Sequence, residues 1–161
     1  MAVIVVETGS GSASSNSYVS AANLATYATD RGVTLAGVPE VLLIKAMDYI
    51  ESLPFAGYKN TQAQALQWPR SAVIIDGFYH PINTIPQLLI DALCELVMGI
   101  DGGTNPLANQ GRETIREKIG EIEIEYTPGS RAQTYLTAAH SKLSKLIKPL
   151  GGGMFARVTR G

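Results

Sequence analysis

Two histidines (His80, His140), a lone cysteine (Cys94) and a row of alternating glutamates (Glu121, Glu123, Glu125) are the side chains whose types could carry chemistry here. Zinc requires three or four converging donors, usually announced by Cys-x-x-Cys or by two histidines four residues apart on a helix. Neither histidine has such a neighbour: His80 stands between Tyr79 and Pro81, and His140 sits beside the apolar stripe of a helical stretch. Gly9-Ser10-Gly11 has the wrong spacing for a nucleophile elbow. No Gly-Lys-Ser/Thr ending makes Gly9 to Ser17 a phosphate loop, so it reads as a flexible connector. Cys94 falls mid-helix among apolar neighbours, where a thiol is an inert core residue. The glutamates share one face of a strand, but Arg116 and Lys118 oppose them across a ribbon, which makes a charge-paired face and not a metal site. The expectation is no catalytic residue, no metal, no cofactor and no enzymatic activity.

Trp68-Pro69-Arg70 is the most distinctive cluster. A single Trp beside Pro offers a large rigid apolar surface, and Arg reaches carboxylates or backbone oxygens with a planar fork. Such a group either pins a loop onto the core or anchors a subunit interface, where Trp and Arg are enriched. The residues alone leave both readings open.

The elements that must position these residues follow from period and punctuation. Ala2 to Val6 is β-branched and apolar, a strand candidate. Ser20 caps a first helix that Gly32 ends, with Val19 and Leu24 spaced as a hydrophobic staple. A second helix starts near Pro39, buries Leu43, Ala46, Met47 and Ile50, and stops before Pro54. Residues 54–85 lack a helical period, and a stretch this long inside a compact domain usually has a binding role. Within it, Val73 to Tyr79 predicts a tight hairpin around Asp76-Gly77. A third helix runs from Pro86 to Gly102, with Leu89, Leu93, Leu96, Val97 and Ile100 on its apolar face.

Residues 114–127 predict a second hairpin, turning at Gly120-Glu121 and pairing Ile119 with Ile122, Lys118 with Glu123, Arg116 with Glu125, and Ile115 with Tyr126. One face then carries Ile119, Ile122, Ile124 and Tyr126. A fourth helix spans about Ser130 to Lys148 on a stripe of Ala132, Tyr135, Leu136, Ala139, Leu143, Leu146 and Ile147. Pro149 and Gly151-Gly152-Gly153 set off a short basic-apolar tail, 151–161. The expected fold class is therefore mainly α: one domain, 1–150, with four helices and a protruding β-hairpin, followed by a flexible, extended C-terminal tail.

The chain has 161 residues, 45% hydrophobic and only 17% charged, enough for one core and low in charge for a free monomer, so a partner is expected to cover some surface. Its charge is polarised. Up to Glu125 fourteen acids meet seven bases, a net −7, and beyond it six bases meet no acid, a net +6. One cysteine permits no internal disulfide, and no apolar run reaches membrane-spanning length, so a protein made in a reducing cytoplasm is expected.

Taken in order, several segments resemble the head–tail connector (adaptor) proteins of tailed bacteriophages, a family that also carries the label DnaT-like single-stranded-DNA-binding protein. They are Asn16-Ser17-Tyr18-Val19-Ser20, Asp30-Arg31-Gly32, Lys45 to Glu51, Gln64 to Arg70, Ile85-Pro86, the hairpin Glu117 to Tyr126, and Arg157 to Gly161. The run Ile74 to Tyr79 is more hydrophobic than the polar loop of that family. The resemblance implies a virion protein of the capsid vertex and neck, a ring of about a dozen copies beneath the portal. Its partners would be itself, the portal and the next neck or tail-completion protein. DNA would pass through the channel without sequence-specific binding, and no membrane would be involved. The expected subunit or portal contacts are Trp68 and Arg70, then Arg116, Lys118, Ile119, Ile122, Glu123 and Ile124 of the hairpin. The tail adds Met154, Phe155, Arg157, Val158 and Arg160, mobile when free and ordered on the portal. The alternative function is a single-stranded-DNA-binding module, which needs stacking aromatics in a basic groove.

Overall fold

A computed structural model describes residues 2–107, 116–119, 122–125 and 137–148, with the backbone alone in 116–119 and 122–125. The first helix, α1 (Ala21–Thr29), begins where the sequence predicts it. Ser20 keeps an extended backbone and accepts the N–H of Asn23 at 3.1 Å, satisfying one of the orphan donors of the first turn. Val19 and Leu24 are both buried, as a staple requires. Gly32 then turns the chain with a φ of 69°, a conformation that costs glycine nothing.

The second helix, α2 (Pro39–Glu51), opens on its proline, and the third, α3 (Gln87–Asp101), follows directly on Pro86. Their apolar stripes meet: Leu42, Leu43, Ala46, Met47 and Ile50 on α2, and Leu89, Ala92, Leu93, Cys94, Leu96 and Val97 on α3. Leu43, Ile50, Leu89, Leu93 and Val97 are completely shielded, each contributing roughly 1.5–3 kcal/mol of burial. The described part of the last helix, α4 (Thr137–Leu143), lies against α3 and buries Ala139 and Leu143.

The fourth helix ends earlier than its period predicts. Beyond Leu143 the chain tightens into a turn and pairs with the segment after α2: Ala56 N–H reaches the Leu146 carbonyl at 2.9 Å, and Lys148 N–H reaches Pro54 O at 2.9 Å. Leu146 remains fully buried, so the apolar stripe is kept while the backbone bonds change partner. Tertiary pairing there outweighs local helix propensity. Ala132, Tyr135 and Leu136 lie outside the described residues.

Three short antiparallel pairs complete the order: β1 (Tyr58–Lys59) with β2 (Arg70–Ser71), β3 (Ile74–Ile75) with β4 (Phe78–Tyr79), and β5 (Arg116–Ile119) with β6 (Ile122–Glu125). The described fold thus mixes four helices with three strand pairs, and the expectation of a mainly α domain holds only loosely. The Asp76-Gly77 hairpin forms as predicted, with positive φ at both residues (50° and 89°), the type I′ geometry that suits strand twist. The β5–β6 register is also the predicted one for Ile119 with Ile122, Lys118 with Glu123 and Arg116 with Glu125. The Gly120-Glu121 turn, the Ile115–Tyr126 pair and the tail from 151 onward lie outside the described residues.

Two N-terminal expectations are corrected. Val6 makes only an isolated bridge to Ser17, and Val3 is 74% exposed, so Ala2 to Val6 is not a strand in a sheet. Residues 9–15 are not a loose connector either. They wrap the buried carboxylate of Glu7, which accepts the N–H groups of Gly9 (2.8 Å), Gly11 (3.1 Å) and Ser12 (2.7 Å) and the hydroxyls of Ser10 and Ser15. Burial alone would raise the pKa of Glu7; donation from Gly9, Ser12, Gly11 and Ser15 overcomes it and holds the group below its ordinary value. Gly9 is obligatory there, since a Cβ would meet the Asn83 backbone, at φ 109°.

Candidate functional site

Trp68 fixes the geometry of the long segment between α2 and α3. Its indole is fully buried and packs edge-on against Phe55 (5.9 Å between centroids) and His80 (5.7 Å). The backbone on either side is tied to α2. Glu51 accepts the Tyr18 hydroxyl at 2.5 Å and the Gln67 N–H at 2.7 Å, and Tyr18 in turn accepts the Trp68 N–H at 3.1 Å. Burial pushes the Glu51 carboxyl up from its ordinary range, while Tyr18 and Gln67 pull it back. Burial also raises the Tyr18 phenol, with the adjacent Glu51 charge adding to it, so this hydroxyl stays protonated and remains a donor.

Arg70 closes the same knot. Its guanidinium donates to the carbonyls of Ala56 (2.6 Å), Gly57 (2.8 Å), Phe55 (3.4 Å) and Gln67 (3.2 Å), and to the Gln67 side chain at 2.8 Å. A planar five-donor fork suits this set of backbone acceptors; an ammonium does not. Trp68 and Arg70 therefore face inward, at 0% and 7% exposure, and present no contact surface to a partner in this structure. Of the two readings the residues left open, the loop pinned to the core is the one that the structure displays.

The chemistry-bearing side chains are likewise scattered or occupied. Burial pushes the Cys94 thiol up to about 12, far from nucleophilic. His80 Nε2 lies 2.9 Å from Thr84 Oγ1 and 3.2 Å from its carbonyl. His140 is exposed on α4. Glu95 gathers the Tyr27 hydroxyl (2.9 Å), Lys142 (3.2 Å) and Arg31 (3.6 Å), which clasps α1 and α4 to α3. Among the described residues no group of three His, Cys, Asp or Glu is placed to hold a metal ion, and no helix is long and apolar enough to cross a membrane.

What stands out instead is a surface that the sequence did not single out. Phe78 and Tyr79 are 79% and 80% exposed, Tyr58 is 71%, and Ile74 and Ile82 exceed half. Ile74 and Tyr79 are cross-strand partners on β3–β4. Asn60 donates to the Ile82 carbonyl, which brings β1 beside the end of β4. One lysine is tied to this hairpin, and two others belong to neighbouring segments. Lys145 reaches Asp76 in the hairpin turn at 3.2 Å, Lys148 follows the strand-like pairing with Pro54, and Lys59 is on β1. The available signal was the hydrophobic run Ile74 to Tyr79; which of its side chains point outward was not encoded in any period. Of the predicted contacts, Arg116, Lys118, Ile119, Ile122, Glu123 and Ile124 lie on the backbone-described ribbon, and Met154, Phe155, Arg157, Val158 and Arg160 lie outside the described residues.

A small helix-and-hairpin domain that leaves the aromatic side chains of Tyr58, Phe78 and Tyr79 exposed is what these features define. The chain belongs to the family described as "Putative DnaT-like ssDNA binding protein", whose sequence model matches residues 1–161. No curated protein and no solved structure matches the chain significantly.

Proposed function

We propose that the protein is a structural head–tail adaptor of a tailed phage, a non-enzymatic subunit that assembles as a ring beneath the portal and docks the next neck component. The observation that carries this reading is the exposure of Tyr58, Ile74, Phe78, Tyr79 and Ile82, large apolar side chains in one segment of a chain with few charges. Exposed large apolar side chains concentrated in one region suit protein contact sites. The ordered series of segments shared with phage adaptors supports the same reading. Electron microscopy of the purified protein mixed with its portal tests it: rings seated on the portal are expected, and a protein that stays monomeric and unbound overturns it.

A second reading is single-stranded-DNA binding. The family description favours it, and so do the exposed rings of Tyr58, Phe78 and Tyr79 with Lys145 at the β3–β4 turn, since bases stack on such rings while lysines follow the phosphates. The two functions separate in a titration against labelled oligothymidylate at several salt concentrations. An adaptor gives weak binding; a dedicated binder gives tight binding that falls steeply with salt.

A further inference from the structure

The segment that leads into the Glu7 carboxylate has one backbone edge occupied and the other open. The Asn16 side chain donates to Val3 O and accepts from Val5 N–H, both at 2.8 Å. The Asn16 backbone N–H reaches Val5 O at 2.9 Å, and Glu7 N–H reaches Ser17 O at 2.8 Å. Bonds from residues 3, 5 and 7 to one neighbouring segment mark an extended chain, whose alternate residues turn their N–H and C=O groups to opposite edges. The N–H and C=O groups of Ile4 and Val6 therefore face the other edge, where they make no hydrogen bond among the described residues. Ile4 packs against the core and fixes the segment in place, while Val3 and Val5 stay exposed.

Open strand edges are ordinarily guarded, by Lys, by Pro or by a bulge, against pairing with another chain. This one is not. From Ala2 to Val6 there is no charge, no proline and no glycine, and Val3 to Val6 are four β-branched residues in a row. The open groups also complement themselves. Residues 4 and 6 stand two apart, so an antiparallel copy with Ile4 opposite Val6 matches every N–H with a C=O, in two hydrogen-bonded pairs.

We infer that residues 3–6 pair with the same segment of a second copy, antiparallel across a two-fold axis at Val5. The two Val5 residues then meet at the non-hydrogen-bonded position between the pairs, with Cα atoms about 4.5 Å apart. The contact is isologous: it joins two copies and stops. It is therefore distinct from the head-to-tail contact that a ring requires, and it stands whether or not the adaptor reading does. Four backbone bonds and a few valines make a patch below the size of stable interfaces, so the dimer is weak and dissociates on dilution.

Register-specific disulfide trapping in the full chain tests this. Val5→Cys and Val3→Cys are made separately, with Cys94 kept because it is 1% exposed. Each is held at about 100 µM, where contacts of micromolar affinity are populated, in a glutathione redox buffer, and dimer is followed by non-reducing electrophoresis. Thiols at position 5 face each other within the roughly 4.4–6.8 Å between Cα atoms that a disulfide spans. Thiols at position 3 are displaced by four residues along the pair, about 13 Å, and cannot join. Val5→Cys should link at least about tenfold faster than Val3→Cys, although position 3 is the more exposed, at 74% against 38%. Adding Val6→Pro to Val5→Cys removes a donor without a partner inside the subunit; the link should then fall to the Val3→Cys rate with the urea midpoint unchanged. Equal rates at positions 3 and 5, or no link at either, would overturn the pairing. So would a position-5 link that survives the proline. If the proline variant proves unstable, the ratio of the two single variants decides by itself.

Discussion

The two halves of the segment between α2 and α3 use aromatic residues in opposite ways. In the first half, Phe55 and Trp68 are buried, and the backbone around them is held by Arg70, Glu51 and Tyr18. In the second half, Phe78 and Tyr79 are carried outward on a tight hairpin and touch no core. The difference lies in who satisfies the backbone. Near Trp68 the chain is too irregular to pair its own carbonyls, so a buried guanidinium must do it. In β3–β4 a type I′ turn lets the strands pair with each other, and the side chains are released for another use. Irregular backbone demands internal anchors; self-paired backbone leaves side chains free.

That contrast is easiest to break at Trp68. Trp68→Ala removes the indole from between Phe55 and His80 and leaves a cavity where nothing regular can collapse. A loss of about 3–5 kcal/mol is expected in urea unfolding. A loss below 1 kcal/mol would mean that the loop is not pinned by this ring. Arg70→Met comes next. It keeps much of the side-chain length but leaves the carbonyls of Phe55, Ala56 and Gly57 without their donor, at an expected cost of about 2–3 kcal/mol. Arg70→Lys should recover little of this, because a single ammonium cannot reach carbonyls arrayed for a fork.

How much of this could be read from the sequence depended on whether local chemistry decided the outcome. Ser20, Pro39, Pro86 and Asp76-Gly77 each act on their own turn, and the elements begin where these residues predict. The β5–β6 register also followed from local turn length and charge pairing. Outcomes set by distant partners were not legible. The fourth helix gives way after Leu143 because Pro54 and Ala56 compete for its backbone, and nothing near Leu143 announces them. Glu7 looked like a lone acid before a glycine-rich linker, although that linker is shaped around it. The outward aromatics were missed for the same reason: nothing local to Val73–Tyr79 says which of its side chains the rest of the fold leaves exposed.

Glu7 extends the contrast to a second irregular stretch, with the signs exchanged: there an anion collects backbone N–H groups, where Arg70 collects carbonyls. Glu7→Gln keeps the shape, loses the charge and presents an NH2 to one set of donors, at an expected cost of about 1–2 kcal/mol. Its pH dependence has a definite direction. The folded pKa is depressed, so the contribution is full above the unfolded value of about 4.3 and is lost as pH falls through the folded value. The gap in stability between the native protein and Glu7→Gln should therefore narrow on acidification. A gap that stays constant from neutral pH down to acid would show that the charge does not hold the loop.

The smallest expected change in stability belongs to the outer half. Phe78→Ser and Tyr79→Ser alter side chains about four-fifths exposed on a hairpin whose turn sets its own geometry, so each should shift unfolding by no more than about 0.5 kcal/mol. The same substitutions should nevertheless weaken assembly, because large aromatic anchors at a contact carry much of its energy. Measured side by side, Trp68→Ala and Phe78→Ser should move different quantities: the first the unfolding midpoint, the second the mass distribution seen by photometry in the presence of the portal. If Phe78→Ser lowered stability as much as Trp68→Ala, the outer rings would be part of this subunit's own core. If it altered neither quantity, the hairpin would be a passive surface, and the division of labour between inward and outward aromatics would reduce to the pinned loop alone.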